Sequence, residues 1–299
     1  MRKLKEMFLA VAGKGGGEMN EVLQGLNGAE MAVSDTGVPF LYFRRLAAQK
    51  GVRHGCSTRA GGVSSGCFSS MNLGFGRGDS EENVLENYRR ICGAIGIRVE
   101  SVVLPDQVHE LTVRRASKAD CGKGLFLPRD YTSVDAQITN EPEVALAVFG
   151  ADCVPVFFYD PETRAIGTAH AGWRGTIGRI AGRTVTAMQR EFGCRPETMQ
   201  AYIGISVCGN CYTVGGETAQ RFQEEFPAAI RRDVEADDTW KLDLWKVNRM
   251  ILEESGLKKE HIITGGVCTM CHPDILFSHR VAGDARGNMA GFLMLTEEE

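Results

Sequence analysis

Apolar positions along the chain follow two patterns, short continuous runs and segments with helical spacing. Short runs bounded by polar or turn residues predict buried strands over residues 40–43, 102–104, 144–150, 154–159, 165–169 and 292–295. Apolar residues at helical spacing predict helices over residues 80–96 and 176–192. In the first helix, Ser80 is the N-cap and Gly96 ends the helix. The chain therefore carries both strands and helices.

Several of the predicted strands end next to residues that can bind a metal. His109, Cys153 and His170 each lie where a predicted strand meets a loop. Two imidazoles and a thiolate suit zinc, and three protein ligands leave a fourth position open, as in catalytic zinc sites. Because the three residues are far apart in sequence, only the fold can bring them together.

Two glycine-containing loops are candidate anion sites. Residues 170–175 (His-Ala-Gly-Trp-Arg-Gly) precede a predicted helix, and the helix N-terminus with Arg174 favours an anion. Arg59 lies in the glycine-rich loop over residues 56–66, which either joins two elements or binds an anion through backbone N–H groups. Neither loop has a standard phosphate-binding pattern, so plain connections remain an alternative.

Further cysteine and polar clusters compete with this site. The pairs Cys208/Cys211 and Cys268/Cys271 are either the ligands of a four-cysteine structural zinc or two thiol pairs in a reducing compartment. Residues 277–280 and 286–291, near the last predicted strand, either line a pocket or form an exposed hairpin.

Composition narrows the class of protein. The chain has 299 residues, is 43% hydrophobic and 24% charged, and carries a net charge of -4 with dispersed basic residues, so we expect no nucleic-acid or membrane partner. No apolar run is long enough to span a bilayer, and the apolar patch near the N-terminus is too short for a signal peptide. Ten cysteines without a targeting segment are typical of reduced thiols, which predicts a cytoplasmic protein.

The domain organisation follows from the glycine-rich start of the chain. Residues 1–38 are predicted to form an irregular leader and the first strand, and residues 39–299 one catalytic domain. Neither an internal repeat nor a linker divides the second segment.

The ordered motifs carry a family resemblance. They lie at residues 57–64, 71–74, 107–109, 134–136, 151–155, 170–175, 203–204, 211–212, 242–244, 268–269 and 277–280. In this order they resemble the YfiH/YlmD family, also called the laccase-domain or multicopper polyphenol oxidoreductase family and described as purine nucleoside phosphorylases. The resemblance runs from about residue 39 to residue 295.

The resemblance implies a fold, an activity and a metal. The implied fold is α/β (α+β type), a layered α/β/β/α single domain with mixed sheets. Family members are described as cleaving adenosine, inosine, guanosine and methylthioadenosine with phosphate, and as deaminating adenosine. The implied partners are therefore purine nucleosides and phosphate, for a monomer or small homo-oligomer. The implied metal is zinc, with copper as an alternative, bound by His109, Cys153 and His170.

The same motifs imply residue roles. Cys153, His170 and Arg174 are the predicted catalytic residues. The residues predicted to bind substrate or phosphate are Arg59, Asn72, Gln107, Asp152, Arg174 and Arg280. Glu110 replaces the family's usual glycine after the Gln-Val-His motif, and Ile205 replaces the usual proline after Ile-Gly. Both changes can reshape the rim of the pocket.

Three other functions compete with nucleoside phosphorolysis. Copper-dependent polyphenol oxidation of the laccase type is disfavoured, because the six histidines include no His-x-His pair. A cysteine hydrolase would use Cys153 as nucleophile with His109 or His170 as base. A non-enzymatic zinc- or purine-binding protein is the third, although a structural zinc normally has a fourth protein ligand.

Overall fold

A computed structural model describes residues 28–297 of the chain. The predicted glycine-rich leader lies mainly in residues 1–27, outside this part. The described strands are β1 (Ala29–Val33), β2 (Pro39–Phe43), β3 (Val52–Ser57), β4 (Val102–Val103), β5 (Val113–Arg115), β6 (Ala136–Thr139), β7 (Ala145–Gly150), β8 (Val154–Asp160), β9 (Ala165–Ala171), β10 (Gln200–Ile203), β11 (Thr213–Gly215), β12 (Ile230–Arg232), β13 (Thr239–Leu242), β14 (Ile262–Thr264) and β15 (Met289–Leu295). The α-helices are α1 (Arg44–Ala47), α2 (Glu81–Ala94), α3 (Trp173–Ile177), α4 (Ile180–Phe192), α5 (Gly216–Glu225), α6 (Leu244–Glu254) and α7 (His279–Ala282).

The strands form two six-stranded mixed sheets and a small third sheet. The first sheet has the order β1-β2-β3-β15-β7-β4, and the second has the order β14-β10-β8-β9-β6-β5. Within each large sheet most pairs are antiparallel, whereas β4 with β7, β5 with β6 and β10 with β14 are parallel. The three-stranded sheet has the order β11-β13-β12.

Strand β8 shows why the predicted strands are continuous apolar runs. Its residues Val154, Val156 and Phe158 pack into one core, and Phe157 and Tyr159 pack into another. Successive side chains of a strand point to opposite faces, so a strand covered on both faces must be apolar at every position. The second of these cores fills the space between the two large sheets.

Helices cover the outer faces of both sheets. On the first sheet, α2 contributes the buried side chains of Val84, Tyr88 and Ile91 to a core that also contains Phe292 of β15. On the second sheet, α4 and α6 contribute apolar side chains that include Ile180, Val185, Met188, Val247 and Ile251. The layered α/β/β/α arrangement with mixed sheets is therefore confirmed.

The helix predicted over residues 80–96 is confirmed. Ser80 accepts a hydrogen bond from the backbone N–H of Asn83 at 3.1 Å, which satisfies a donor at the start of α2. The acidic side chains of Glu81 and Glu82 lie in the first turn, where the helix dipole favours negative charge.

The helix predicted over residues 176–192 is wrong in one respect, since it is two helices. Arg179 lies between α3 and α4 with φ of 62°, in the left-handed region that interrupts a right-handed helix. At Gly178 a Cβ atom would lie 2.5 Å from Cδ2 of Leu111, so a larger residue here would have to displace the Leu111 side chain. Side-chain periodicity does not register such a break, because the apolar face continues across it.

Within residues 28–297, every helix is too short or too polar to span a bilayer.

Candidate metal and nucleoside site

Strand pairing brings two of the predicted metal ligands together. Strands β8 and β9 are antiparallel, with Pro155 opposite His170. Cys153 directly precedes β8, in the loop that crosses from the first large sheet to the second. The ends of the two strands therefore place the Cys153 thiol beside the imidazole of His170.

A buried carboxylate brings in the third ligand. Asp135 directly precedes β6, which pairs with β9, and its carboxylate accepts backbone N–H bonds from Val108, His109 and Glu110 at 3.1, 3.0 and 2.9 Å. His109 has a φ of 67°, a backbone conformation that non-glycine residues adopt only when their surroundings hold them there. Asp135 thus fixes the loop that carries His109.

The three side chains form one centre, called here the three-donor centre (His109, Cys153 and His170). Their ligand atoms all lie within 4.8 Å of one another, and Cys153 Sγ lies 3.8 Å from His109 Nε2. Gly172 lies against this centre, because a Cβ there would be 3.0 Å from both Cys153 Sγ and His109 Cδ2. The glycine of the segment 170–175 therefore makes room for the ligands.

Electrostatics favour the metal-binding form of the thiol. Burial by itself raises the pKa of Cys153, but the charge of His170 and hydrogen bonds to both histidines lower it to about 6. Burial by itself lowers the pKa of His170, but the Cys153 charge and the hydrogen bond to Asp135 raise it to about 9. Without a metal the two side chains form an ion pair at neutral pH, and a cation at the centre would replace the proton on His170.

The donor set fits zinc. Imidazole nitrogens and a thiolate are ligands that Zn²⁺ accepts in tetrahedral sites. Nδ1 of His170 lies 2.7 Å from Oδ1 of Asp135, which leaves Nε2 for a metal and supplies the carboxylate partner typical of metal-bound histidines. His170 is buried whereas His109 is exposed, so the centre opens to solvent on the His109 side.

This open side faces a cavity of about 900 Å³. All three members of the three-donor centre line it. Its aromatic and apolar lining residues include Leu73, Phe75, Phe149, Trp173, Tyr212 and Leu244, and its charged ones include Arg77, Asp106, Arg129, His279, Arg280, Asp284 and Arg286. Residues 277–280 and 286–291, whose role the sequence left open, thus contribute side chains to the cavity.

Two arginines in the cavity have unused donors. Nε of Arg77 and Nε of Arg286 are buried and have no hydrogen-bond partner among residues 28–297. Burial, and then the positive charge of Arg77, lower the pKa of Arg286. Asp284 lies 3.6 Å from Arg77 but is itself exposed, so it offsets this positive charge only weakly. The two guanidinium groups therefore repel each other, and a bound anion would relieve that repulsion.

Half of the residues predicted to bind substrate or phosphate line this cavity. Gln107, Asp152 and Arg280 do so. The Gln107 amide exchanges hydrogen bonds with the backbone of Phe149, and Asp152 accepts the backbone N–H of Arg280 at 2.7 Å.

The other predicted binding residues are not among the lining residues of the cavity. Asn72 is fully buried, and its side chain bonds to the backbone of Gly74 and Asn288 and to Asp79. Arg59 donates to two backbone carbonyls and lies over the ring of Phe277. The exposed Arg174 lies over the ring of Trp173, 4.4 Å from its centroid. Their assigned roles stay predictions.

Three residues of the site were not assigned a role from the sequence. Asp135 lies in the motif at residues 134–136, so its place in that motif is the sequence signal for its role. Arg286 lies in the polar segment 286–291, for which the sequence offers a pocket wall as one of two alternatives. Arg77 belongs to a loop without any distinctive pattern, and only the fold places it near Arg286.

Comparison with known proteins agrees with this geometry. A family model described as multi-copper polyphenol oxidoreductase laccase matches residues 53–296. The chain is 36% identical over 256 residues to purine nucleoside phosphorylase YlmD of Bacillus subtilis, covering 83% of this chain and 90% of that protein. It is 32% identical over 246 residues to purine nucleoside phosphorylase YfiH of Escherichia coli, covering 82% and 95%.

A solved structure shows the same fold. The crystal structure of YlmD from Geobacillus stearothermophilus matches with a TM-score of 0.79 and 33% identity, covering 86% of this chain and 96% of that chain. The chain therefore belongs to the laccase-like YlmD/YfiH family, as its ordered motifs predicted.

Proposed function

We propose that this protein is a zinc-dependent purine nucleoside phosphorylase that also deaminates adenosine. The proposed substrates are adenosine, inosine, guanosine and methylthioadenosine, each with inorganic phosphate for the cleavage reaction. The observation that carries the proposal is one cavity that contains both the three-donor centre and the paired guanidinium groups of Arg77 and Arg286. The names of the relatives support it.

In the proposed enzyme, His109, Cys153 and His170 hold the metal. Bound zinc would supply Lewis-acid polarisation and lower the pKa of a water molecule, which hydrolytic deamination of adenosine at neutral pH requires. Asp135 keeps Nδ1 of His170 engaged at 2.7 Å, so the ring cannot turn its other nitrogen away from the centre. Copper remains the alternative metal, although only two of the six histidines lie in a donor cluster of the described chain.

Phosphorolysis needs an anionic nucleophile next to the sugar. Phosphate carries one to two negative charges at neutral pH, and guanidinium groups bind such oxygens through paired N–H donors. Arg77 and Arg286 both line the cavity and supply positive charge for this task. Arg280 also lines the cavity. Its guanidinium donates to the backbone carbonyl of Thr213, and this hydrogen bond orients the side chain.

The purine base needs a flat apolar surface. Tyr212 and Trp173 line the cavity and each lies under a guanidinium group, Arg280 at 4.5 Å and Arg174 at 4.4 Å from the ring centroid. These stacks hold the two rings in place at the cavity wall, where a purine base would meet them.

The test of the proposed function is adenosine turnover with and without phosphate. We expect adenine and ribose 1-phosphate to form in proportion to added phosphate, and inosine to form in phosphate-free buffer as well. Release of adenine that is independent of phosphate, or no turnover of any of the four nucleosides by zinc-loaded protein, would exclude the phosphorylase.

A cysteine hydrolase is the second candidate, because Asp135, His170 and Cys153 form a connected chain of acid, imidazole and thiol. The two functions differ in their response to the metal. A cysteine nucleophile should be alkylated by iodoacetamide together with loss of activity in the zinc-loaded protein. In the proposed phosphorylase, bound zinc should protect Cys153 from alkylation, and chelation should expose it.

A further inference from the structure

Four cysteines converge at a second place in the fold, called here the four-cysteine cluster. The sulfur atoms of Cys208, Cys211, Cys268 and Cys271 all lie within 4.8 Å of one another. A tetrahedral zinc with Zn–S bonds of about 2.3 Å requires sulfur atoms about 3.8 Å apart. Cys211 Sγ and Cys271 Sγ lie 3.5 Å apart, so a small movement suffices to place one ion at equal distance from all four.

The fold aligns the two Cys-x-x-Cys turns side by side. Ser206 and Cys268 form an isolated parallel bridge, with Ser206 N–H donating to Val267 and Thr269 N–H donating to Ser206. Each turn is closed by a backbone hydrogen bond, from Cys211 to Cys208 at 3.0 Å and from His272 to Cys268 at 3.2 Å. The sulfur atoms therefore converge because the backbones of both turns are fixed.

A backbone donor favours a thiolate at Cys268, one of the four sulfur atoms. The backbone N–H of Cys208 donates to Cys268 Sγ at 3.3 Å, an N–H to sulfur bond that stabilises negative charge on the acceptor. The four cysteines differ in burial, since Cys268 is buried and Cys271 is exposed. One edge is thus open to a metal ion, and the remaining ligands are shielded.

We propose that the four-cysteine cluster binds one Zn²⁺ as a closed structural site, distinct from the three-donor centre. Four thiolates leave no open position, so this ion does not contact substrate. Binding forms four Zn–S bonds and releases the protons that the thiols carry, and no electrons are exchanged.

The position of the four-cysteine cluster indicates a structural role for the proposed ion. Cys211 is followed by Tyr212, which lines the nucleoside cavity under Arg280. Cys268 is followed by Thr269, whose hydroxyl donates to Asp152 at 2.5 Å. Asp152 precedes the predicted zinc ligand Cys153 and has a φ of 102°. An ion in the four-cysteine cluster would therefore hold together two loops that position the cavity wall and the Asp152–Cys153 turn.

The test is a metal count in matched variants. We expect about two zinc ions per chain in the wild type and about one in Cys153→Ala, which keeps the four-cysteine cluster intact. The double variant Cys211→Ser/Cys271→Ser should contain about one, and the triple variant with Cys153→Ala none. Cys67→Ser, at an exposed cysteine outside both clusters, is the control and should keep the wild-type count.

The Cys153→Ala protein also gives a spectroscopic readout that does not depend on cluster variants folding. Reconstituted with Co²⁺, it should show the strong sulfur-to-cobalt charge-transfer absorption of a four-thiolate site. The proposal is overturned if Cys153→Ala contains no metal and shows no such absorption. It is also overturned if the cluster of purified wild type holds iron, or if mass spectrometry without reductant finds its cysteines joined as disulfides. These readouts are independent of nucleoside turnover, so failure of the phosphorylase proposal would not affect them.

Discussion

Oδ1 of Asp135 lies 2.7 Å from Nδ1 of His170, in a contact where both side chains are buried. The same carboxylate accepts the backbone N–H groups of Val108, His109 and Glu110. Asp135 therefore orients one predicted metal ligand through its ring and another through its backbone. Burial by itself raises the pKa of Asp135, but these hydrogen bonds lower it, so the carboxylate is ionised at neutral pH.

Replacing this carboxylate tests its positioning role. We expect Asp135→Asn to weaken zinc binding at the three-donor centre by about 10- to 100-fold, because the amide binds the imidazole and the loop N–H groups less strongly. Competition with a chelator of known affinity measures the change. Asp35→Asn, in an exposed turn, should leave the affinity unaltered. Equal affinities of Asp135→Asn and wild type would show that the contact does not orient His170.

Gly172 offers a steric test of the same centre. Its added Cβ would lie 3.0 Å from Cys153 Sγ and from His109 Cδ2, closer than ordinary van der Waals contact. Gly172→Ala should therefore displace a ligand and lower the zinc content while the protein remains folded. Gly93→Ala is the matched control, since a Cβ on this α2 residue has no atom within 4 Å. Full zinc occupancy in Gly172→Ala would contradict the close packing described here.

Replacement of the ligands themselves tests the metal assignment. His109→Ala, Cys153→Ala and His170→Ala should each lose about one zinc ion per chain by elemental analysis. The ion in the four-cysteine cluster should remain. If none of the three changes alters the metal content, the three-donor centre is not a metal site.

The arginine pair is tested by phosphate kinetics. Arg77→Ala should lower kcat/KM for phosphate by about 100-fold, the loss typical of one removed donor to a developing anion, and leave inosine formation in phosphate-free buffer unchanged. Arg190→Ala, at an exposed arginine, is the control. The assignment from sequence predicts the same loss for Arg59→Ala and Arg174→Ala. If kcat/KM for phosphate falls only in Arg59→Ala and Arg174→Ala, the phosphate is bound by these residues and not by Arg77 and Arg286.

Acid stability depends on a buried histidine away from the site. Burial lowers the pKa of His54 to about 4, and its Nε2 accepts the backbone N–H of Phe43 at 2.8 Å. The unfolded chain takes up this proton near pH 6.5, so stability is complete above that pH and declines toward pH 4. Between pH 7.5 and pH 5 we expect His54 alone to remove about 2 kcal/mol of unfolding free energy.

The measurement for His54 is guanidinium chloride unfolding at both pH values. His54→Gln keeps an acceptor without titrating, so the part of the loss due to His54 should disappear in this variant. If wild type and His54→Gln lose the same free energy on acidification, His54 does not control the pH dependence.

The sequence determined much of the layered fold, because the spacing of apolar residues along the chain differs between buried strands and helices. Continuous apolar runs such as residues 154–159 marked strands covered on both faces, and Ser80 marked the start of α2. Periodicity missed the break at Arg179, where a backbone conformation changes without any change in the apolar face.

The sequence also determined the three donor residues, because each lies at the end of an apolar run or inside a recognised motif. It did not determine which other side chains share their cavity. Arg77 and Arg286 come from loops far apart in the sequence, and only the pairing of β15 with β3 and β7 inside the first sheet brings them together. Local patterns report whether a position is buried. Which loops meet is decided by long-range strand pairing, so the closeness of Arg77 and Arg286 emerged only from the tertiary structure. The same holds for the convergence of the four cysteine sulfur atoms, which the sequence offered only as one of two alternatives.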